Sequence, residues 1–239
     1  SRRLKKEIRT IRSRLASLGY QENELLPVVI RNLDFARAHI KESIYDQAIL
    51  EGVATTFPQT EDILENRIVS GMKASDIQKI LNLKHAWEFI LDPDVLQVPT
   101  TLSLLSVLAS MINEGFYLNG GEIRSVPVSI KGSSYIPSLP IKTIVLESIQ
   151  AIVESEKTVI DRSIDLLLYC MKTQIFIDGN KRAAVIFANH LLISSGSGLL
   201  TIPEEKVDIF KNLLIQYYEG RDTESIRKFL KEHCWKRID

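Results

Sequence analysis

The sequence predicts an all-α protein carrying one short β-hairpin. Three observations carry that expectation. Apolar residues recur at helical spacing over most of the 239 positions. Hydrophobic residues make up 45 % of the chain, enough for a proper core. One stretch alone alternates, with Val126, Val128 and Ile130 interleaved with Pro127 and Ser129.

The elements follow in order. A first helix covers Arg3 to Leu18 and stops at Gly19, a residue type that suits a helix end. A second runs from Glu24 to Glu51, with Val28, Val29, Leu33, Phe35, Ala36 and Ile40 on one side and Gly52 as its breaker. Further helices fit Pro58–Ser70, Ser75–Leu91, Thr101–Glu114, Pro140–Glu156, Val159–Thr173, Lys181–Ser194, Pro203–Tyr218 and Thr223–Cys234. Ser75 and Thr223 are N-cap types, and Pro203 suits a first turn. Between Gly120 and Pro140, GGEIRSVPVSIKGSSYIPSLP reads as the hairpin, turning at Lys131-Gly132. It is edge-like, because Pro127 has no N–H to give to a ladder. A lone hairpin needs packing support or a task. No internal repeat, low-complexity segment or linker stands out. The expected organisation is a basic helix and connection over 1–26, then one helical domain over 27–239.

Thirty basic and thirty acidic residues cancel, so no global charge points to nucleic acid or an anionic membrane. The basic start, SRRLKKEIRTIRSRL, reads as a solvated amphipathic helix in preference to an RNA or membrane contact. Cys170 and Cys234 are few and far apart, which suits a reduced cytosolic chain. With neither a signal peptide nor an apolar run of membrane-spanning length, the expectation is a soluble, cytoplasmic protein without a membrane partner. The chain has no initiator methionine, which fits a piece of a longer protein with a DNA-binding or other module attached.

The chemistry concentrates at IFIDGNKR, between two apolar helical patterns. Backbone N–H groups at the start of the second helix are unpaired and aligned with the positive end of its dipole. Gly179 permits a tight left-handed backbone. Asp178 suits Mg²⁺, which takes one or two carboxylates plus phosphate oxygens. Asn180, Lys181 and Arg182 offer polar and charged contacts to phosphates. The same residues also suit an ordinary capped helix with two surface cations, and the local pattern leaves both readings open.

The stretch from Gln174 to Arg182 resembles the signature loop of Fic-domain proteins, His-x-Phe-x-Asp/Glu-Gly-Asn-Gly-Arg, with Phe176, Asp178, Gly179, Asn180 and Arg182 matching. Gln47 to Thr56 resembles the inhibitory-helix motif of that family. Ile123-Arg124 through Val128, Ile130, Gly132, Ser133 and Pro137 resembles its flap, and IPEEKVDIF…LLIQYYEGRDTESIRKFL its tail. The resemblance covers Pro27 to Cys234. It implies a mainly helical Fic fold and transfer of AMP from ATP to a hydroxyl side chain of a target protein. In such proteins the loop histidine deprotonates the hydroxyl. By the same resemblance Asp178 holds Mg²⁺, and Gly179, Asn180 and Arg182 contact the nucleotide, to which Lys181 adds a cation of its own. Glu51 is the inhibitory glutamate, and the flap, at Val128 and Ile130, adds a target segment as a strand. The partners implied are ATP and that target segment; a homodimer stays open.

Three departures bear on activity. The catalytic histidine position is Gln174, whose carboxamide orients a hydroxyl but accepts no proton, where a general base contributes about 10²–10⁴-fold. Cys170 reads as a core residue, and His190 is more than two turns past the loop. His39, His85 and His233 read as surface or packing histidines. Lys181 stands at the second glycine, as in Doc-like relatives that phosphorylate a target. Val185 replaces the second arginine, so Glu51 needs Arg182 or Lys181 as its partner, and Gln47 replaces the motif's Ser/Thr. AMP transfer is therefore expected to be impaired. The alternatives are a non-catalytic nucleotide- or peptide-binding relative and a Doc-like phosphotransferase.

Overall fold

The computed structural model describes residues 2–19 and 25–238. Among them the order is α1 (Arg2–Ser17), α2 (Pro27–Ala38), α3 (Ile40–Leu50), α4 (Phe57–Leu64), α5 (Ala74–Ile90), α6 (Pro93–Leu96) and α7 (Leu102–Ile112). There follow α8 (Lys142–Val153), α9 (Val159–Thr173), α10 (Asn180–Ser194), β1 (Leu199–Leu200), α11 (Val207–Tyr218), α12 (Ser225–Phe229) and β2 (Trp235–Lys236). The architecture is mainly helical with one small antiparallel sheet, in which Leu199 pairs with Lys236 and Leu200 with Trp235.

Helix α10 is the axle. Ala183 through Ala188 and Leu191 through Ile193 are buried, so apolar side chains cover every face, the mark of a helix enclosed by others. It packs against α9 and α7, with α2, α5 and β1 closing around it. Helix α9 has Ile160, Ile164, Leu167, Leu168 and Met171 buried, and Thr158 caps its start by accepting from the Asp161 N–H. The end of α9 and the start of α10 are thus held side by side. The six residues between them are presented from a rigid base.

Several expected boundaries move. The long second helix is two: α2 stops at Ala38 and α3 starts at Ile40, with His39 between them at φ −105, ψ 13. The His39 ring donates through Nδ1 to Phe35 O, 2.8 Å away, so the break needs neither proline nor glycine. The expected first residue, Glu24, lies outside the described residues. Helix α4 ends at Leu64, well short of Ser70, and Asn66 turns the chain at φ 58. Its start is a capping box: the Thr56 N–H donates to Gln59 Oε1 and the Gln59 N–H to Thr56 Oγ1. Ser75 does not cap α5, whose N-cap position is Lys73. Asp222, not Thr223, accepts from the Glu224 and Ser225 N–H groups before α12.

The expected hairpin does not form. Residues 122–141 contain no strand, although a turn does sit at Lys131-Gly132, with Gly132 at φ +83. The carbonyls that a ladder would use are bonded elsewhere: Val126 O and Ser138 O both accept from the Arg124 guanidinium. No helix among the described residues is long and apolar enough to cross a membrane.

Candidate active site

Helix α9 ends at Gln174 in the left-handed conformation, φ 49 and ψ 62. A side-chain-bearing residue holds that conformation only where its surroundings over-determine it. Here they do. Gln174 Nε2 donates to Met171 O at 2.7 Å, and its Oε1 accepts from Asn180 Nδ2 at 3.2 Å. Its backbone carbonyl accepts from Arg124 Nε.

Asn180 is the pin around which the loop bends. Its Oδ1 accepts from the Phe176 N–H at 2.9 Å, and its Nδ2 donates to Phe176 O at 2.8 Å. Ile175 and Phe176 point into the core. Gly179 follows at φ +75, where a Cβ would lie 2.6 Å from Ile112 Cγ2, so both backbone and space require glycine. No side chain caps the start of α10, which leaves its first N–H groups without side-chain partners.

The charged groups converge just past that turn. Arg182 is buried, 3 % exposed, with Nη2 3.3 Å from Asp178 Oδ2 and Nε 3.6 Å from Glu51 Oε2. At that separation Nε makes no hydrogen bond, and it is left buried and unsatisfied. Asp178 keeps about half its side chain in solvent, at 49 %. Lys181 is half-buried, and no hydrogen bond or ion pair engages it among the described residues. Val185 is fully buried.

Sequence reasoning missed the roles of three residues that set this geometry. Gln47 donates through Nε2 to Arg182 O (3.1 Å) and accepts through Oε1 from Trp87 Nε1 (2.6 Å), tying α3 to α10 and α5. Asn113 donates through Nδ2 to Asp178 O (2.9 Å) and Gly120 O (3.0 Å), bracing the loop from the end of α7. Arg124, 5 % exposed, reaches Gln174 O, Thr173 O, Val126 O and Ser138 O. Burial holds its pKa below the ordinary arginine value. The sequence had placed Arg124 in the flap resemblance without giving its side chain a role.

The flap residues Val128 and Ile130 are half-buried, Ile130 against the core. The segment's tip is docked on α11: Glu219 Oε1 accepts from the Ser134 N–H (3.0 Å) and Ser133 Oγ (3.1 Å). Those donors hold the Glu219 carboxyl below its usual value. Tyr135 stacks on Tyr218, ring centroids 6.3 Å apart.

Among the described residues, Cys170, His190, His39 and His233 supply no substitute base at Gln174. Cys170 is buried, and burial pushes its thiol far up. His190 is fully buried between Thr100 Oγ1 (2.8 Å) and Val95 O (2.7 Å), and burial pushes it down to about 4. His39 is engaged at Phe35 O, and the exposed His233 lies against Phe229. Among the described residues no group of three or more His, Cys, Asp or Glu is placed to hold a metal ion.

Residues 99–192 match the model of the Fic/DOC family. Over 239 residues the chain is 25 % identical to the protein adenylyltransferase Fic of Drosophila grimshawi, a match taking in 95 % of this chain and 48 % of that protein. It is 26 % identical over 236 residues to the Drosophila erecta protein of the same name, with 95 % and 47 % covered. The chain thus spans about half the length of the curated relatives it matches. A crystal structure of a Fic domain containing signaling protein from Bacteroides thetaiotaomicron superposes with TM-score 0.68 at 19 % identity, over 94 % of this chain and 90 % of that one. Fic-1 from C. elegans does so at 0.68 and 18 %, over 95 % and 67 %. The architecture is the Fic fold, and residues 99–192 are similar to the Fic/DOC family.

Proposed function

We propose that this chain is a Fic-type nucleotide-binding protein whose transfer of AMP from ATP to a target hydroxyl is impaired at Gln174. The carrying observation is the state of that side chain. Its carboxamide donates to Met171 O and accepts from Asn180, so a clasp occupies the place of the proton acceptor. Even released from those bonds, a carboxamide has no proton affinity near neutral pH.

The residues present fit a nucleotide. The uncapped start of α10, the unengaged Lys181 ammonium and the orphaned Arg182 Nε are all donors suited to phosphate oxygens. Asp178, half in solvent, would hold a Mg²⁺, which supplies charge neutralisation at the phosphates; as a single carboxylate it needs phosphate oxygens to complete the shell. Glu51, reaching toward Arg182 Nε, competes for the same guanidinium and supports an inhibitory role.

The test uses ATP labelled at either phosphate. Gln174→His, alone and with Glu51→Gly, is incubated with candidate targets, and α-label transfer is compared with the parent chain. Transfer appearing with histidine supports the reading; no label with the double variant overturns it. Lys181 together with Val185 favours a second reading, phosphoryl transfer, which predicts γ-label and no α-label.

A further inference from the structure

The Arg124 guanidinium sits where two segments meet. Two of its bonds go to the end of α9, at Gln174 O and Thr173 O (3.4 Å). Two more go to the opposite limbs of the 122–141 segment, at Val126 O (3.0 Å) and Ser138 O (2.7 Å). Its own N–H donates to Ile175 O at 3.0 Å, so the main chain joins the same pair of segments. No carboxylate pairs with it among the described residues; its charge is met by carbonyl oxygens, including those at the negative end of the α9 dipole.

This geometry restricts motion. A guanidinium is planar and its donors form a fixed fork, so carbonyls bound to it keep fixed positions relative to one another. Because the group is buried, a carbonyl that leaves strands a donor away from water, which is costly. The limbs at Val126 and Ser138 have no ladder to hold them, and the left-handed Gln174 has no glycine's freedom. Each therefore depends on the same side chain.

We propose that Arg124 is a positioning residue that couples the 122–141 segment to the Gln174–Arg182 loop, so that a change in one is transmitted to the other. The inference does not rest on the nucleotide reading. If nucleotide and peptide do bind at loop and flap, the coupling links the two events reciprocally.

The test uses hydrogen exchange without any ligand. Asn180→Ala loosens the loop by removing its hold on Phe176 and Gln174. In the parent background we expect exchange at Ser133, Ser134 and Tyr135, the segment's hydrogen-bonded amides beyond Arg124, to rise by about fivefold or more, the low end of ordinary coupling between sites. In an Arg124→Lys background, which keeps the charge but not the fork, adding Asn180→Ala should leave those amides unchanged. A purely local role for Arg124 gives equal, additive effects in both backgrounds, and that result overturns the proposal. If Arg124→Lys fails to fold, Asn180→Ala alone decides: unchanged exchange in the flap sinks the coupling. Loss of ATP binding would bear only on the function proposed above.

Discussion

Glu51 and Arg182 face each other across the seam between α3 and α10, carboxylate Oε2 to guanidinium Nε at 3.6 Å, both largely out of solvent. The contact is an ion pair too long to be a hydrogen bond, and it leaves Nε unsatisfied. An anion that reaches Nε at bonding distance therefore gains what Glu51 does not supply. Glu51→Gln should raise affinity for ATP with Mg²⁺ by about tenfold, the equivalent of roughly 1.4 kcal/mol. Calorimetric titration measures it, and an unchanged affinity would show that Glu51 does not compete.

Gly179 is a sharper structural requirement. Gly179→Ala places a Cβ 2.6 Å from Ile112 Cγ2 at φ +75. Backbone strain and overlap together should lower the unfolding free energy by about 2–4 kcal/mol, read from urea melts. A cost below 1 kcal/mol would mean that α7 yields at Ile112.

Asn113 braces the loop from beneath, through Asp178 O and Gly120 O. Asn113→Ala strands both carbonyls and should cost about 1–3 kcal/mol. Proteolysis or exchange at residues 177–180 should rise with it. Stability lost without local loosening would assign Asn113 to the 113–120 turn alone.

Two buried titrating groups act on stability in opposite directions. Burial pushes the Asp46 carboxyl up to about 6, with Lys236 drawing it back, and pushes His190 down to about 4. Their ordinary values are about 4 and 6.5. Between those limits folded Asp46 binds more protons than unfolded, so its contribution is full below pH 4 and is lost as pH rises to 6. Folded His190 binds fewer, so its contribution is full above pH 6.5 and is lost as pH falls to 4. The two slopes offset each other. Asp46→Asn keeps an acceptor for the Glu204 N–H and removes one slope. Its stability should fall by about 2–3 kcal/mol from pH 6.5 to 4, where the parent is nearly flat. Denaturant midpoints at pH 4.5, 5.5 and 6.5 decide; a variant as flat as its parent contradicts the assignment.

What was legible in the sequence was what repeats or punctuates locally. Helix α9 was found at Val159–Thr173 because its apolar residues recur every third or fourth position. Gly19 and Gly179 marked real left-handed turns. The break at His39 had no such sign, since an imidazole on a backbone carbonyl replaces the usual glycine or proline. The hairpin expectation failed because alternation reports exposure, whereas pairing depends on where the carbonyls go, and Arg124 took them. The real sheet, with strands as short as Leu199–Leu200, is below the length any pattern can reveal. At the site, the loop residues were legible as a cluster in sequence. Their supports were not: Asn113 lies 65 residues from Asp178, Arg124 lies 50 from Gln174, and Gln47 lies 135 from Arg182.

Gln47 has a consequence for how Glu51 moves. Its amide is bonded on one side to Trp87 and on the other to Arg182 O, and it is 2 % exposed. Glu51 follows it by four residues, at the end of the same short helix. Swinging α3 outward would break both amide bonds in a place water does not reach. Withdrawal of Glu51 from Arg182 is thereby a matter of torsion about its own side-chain bonds. Helix α3 acts as a fixed ruler rather than a gate, and the span over which Glu51 engages or releases is the length of one glutamate.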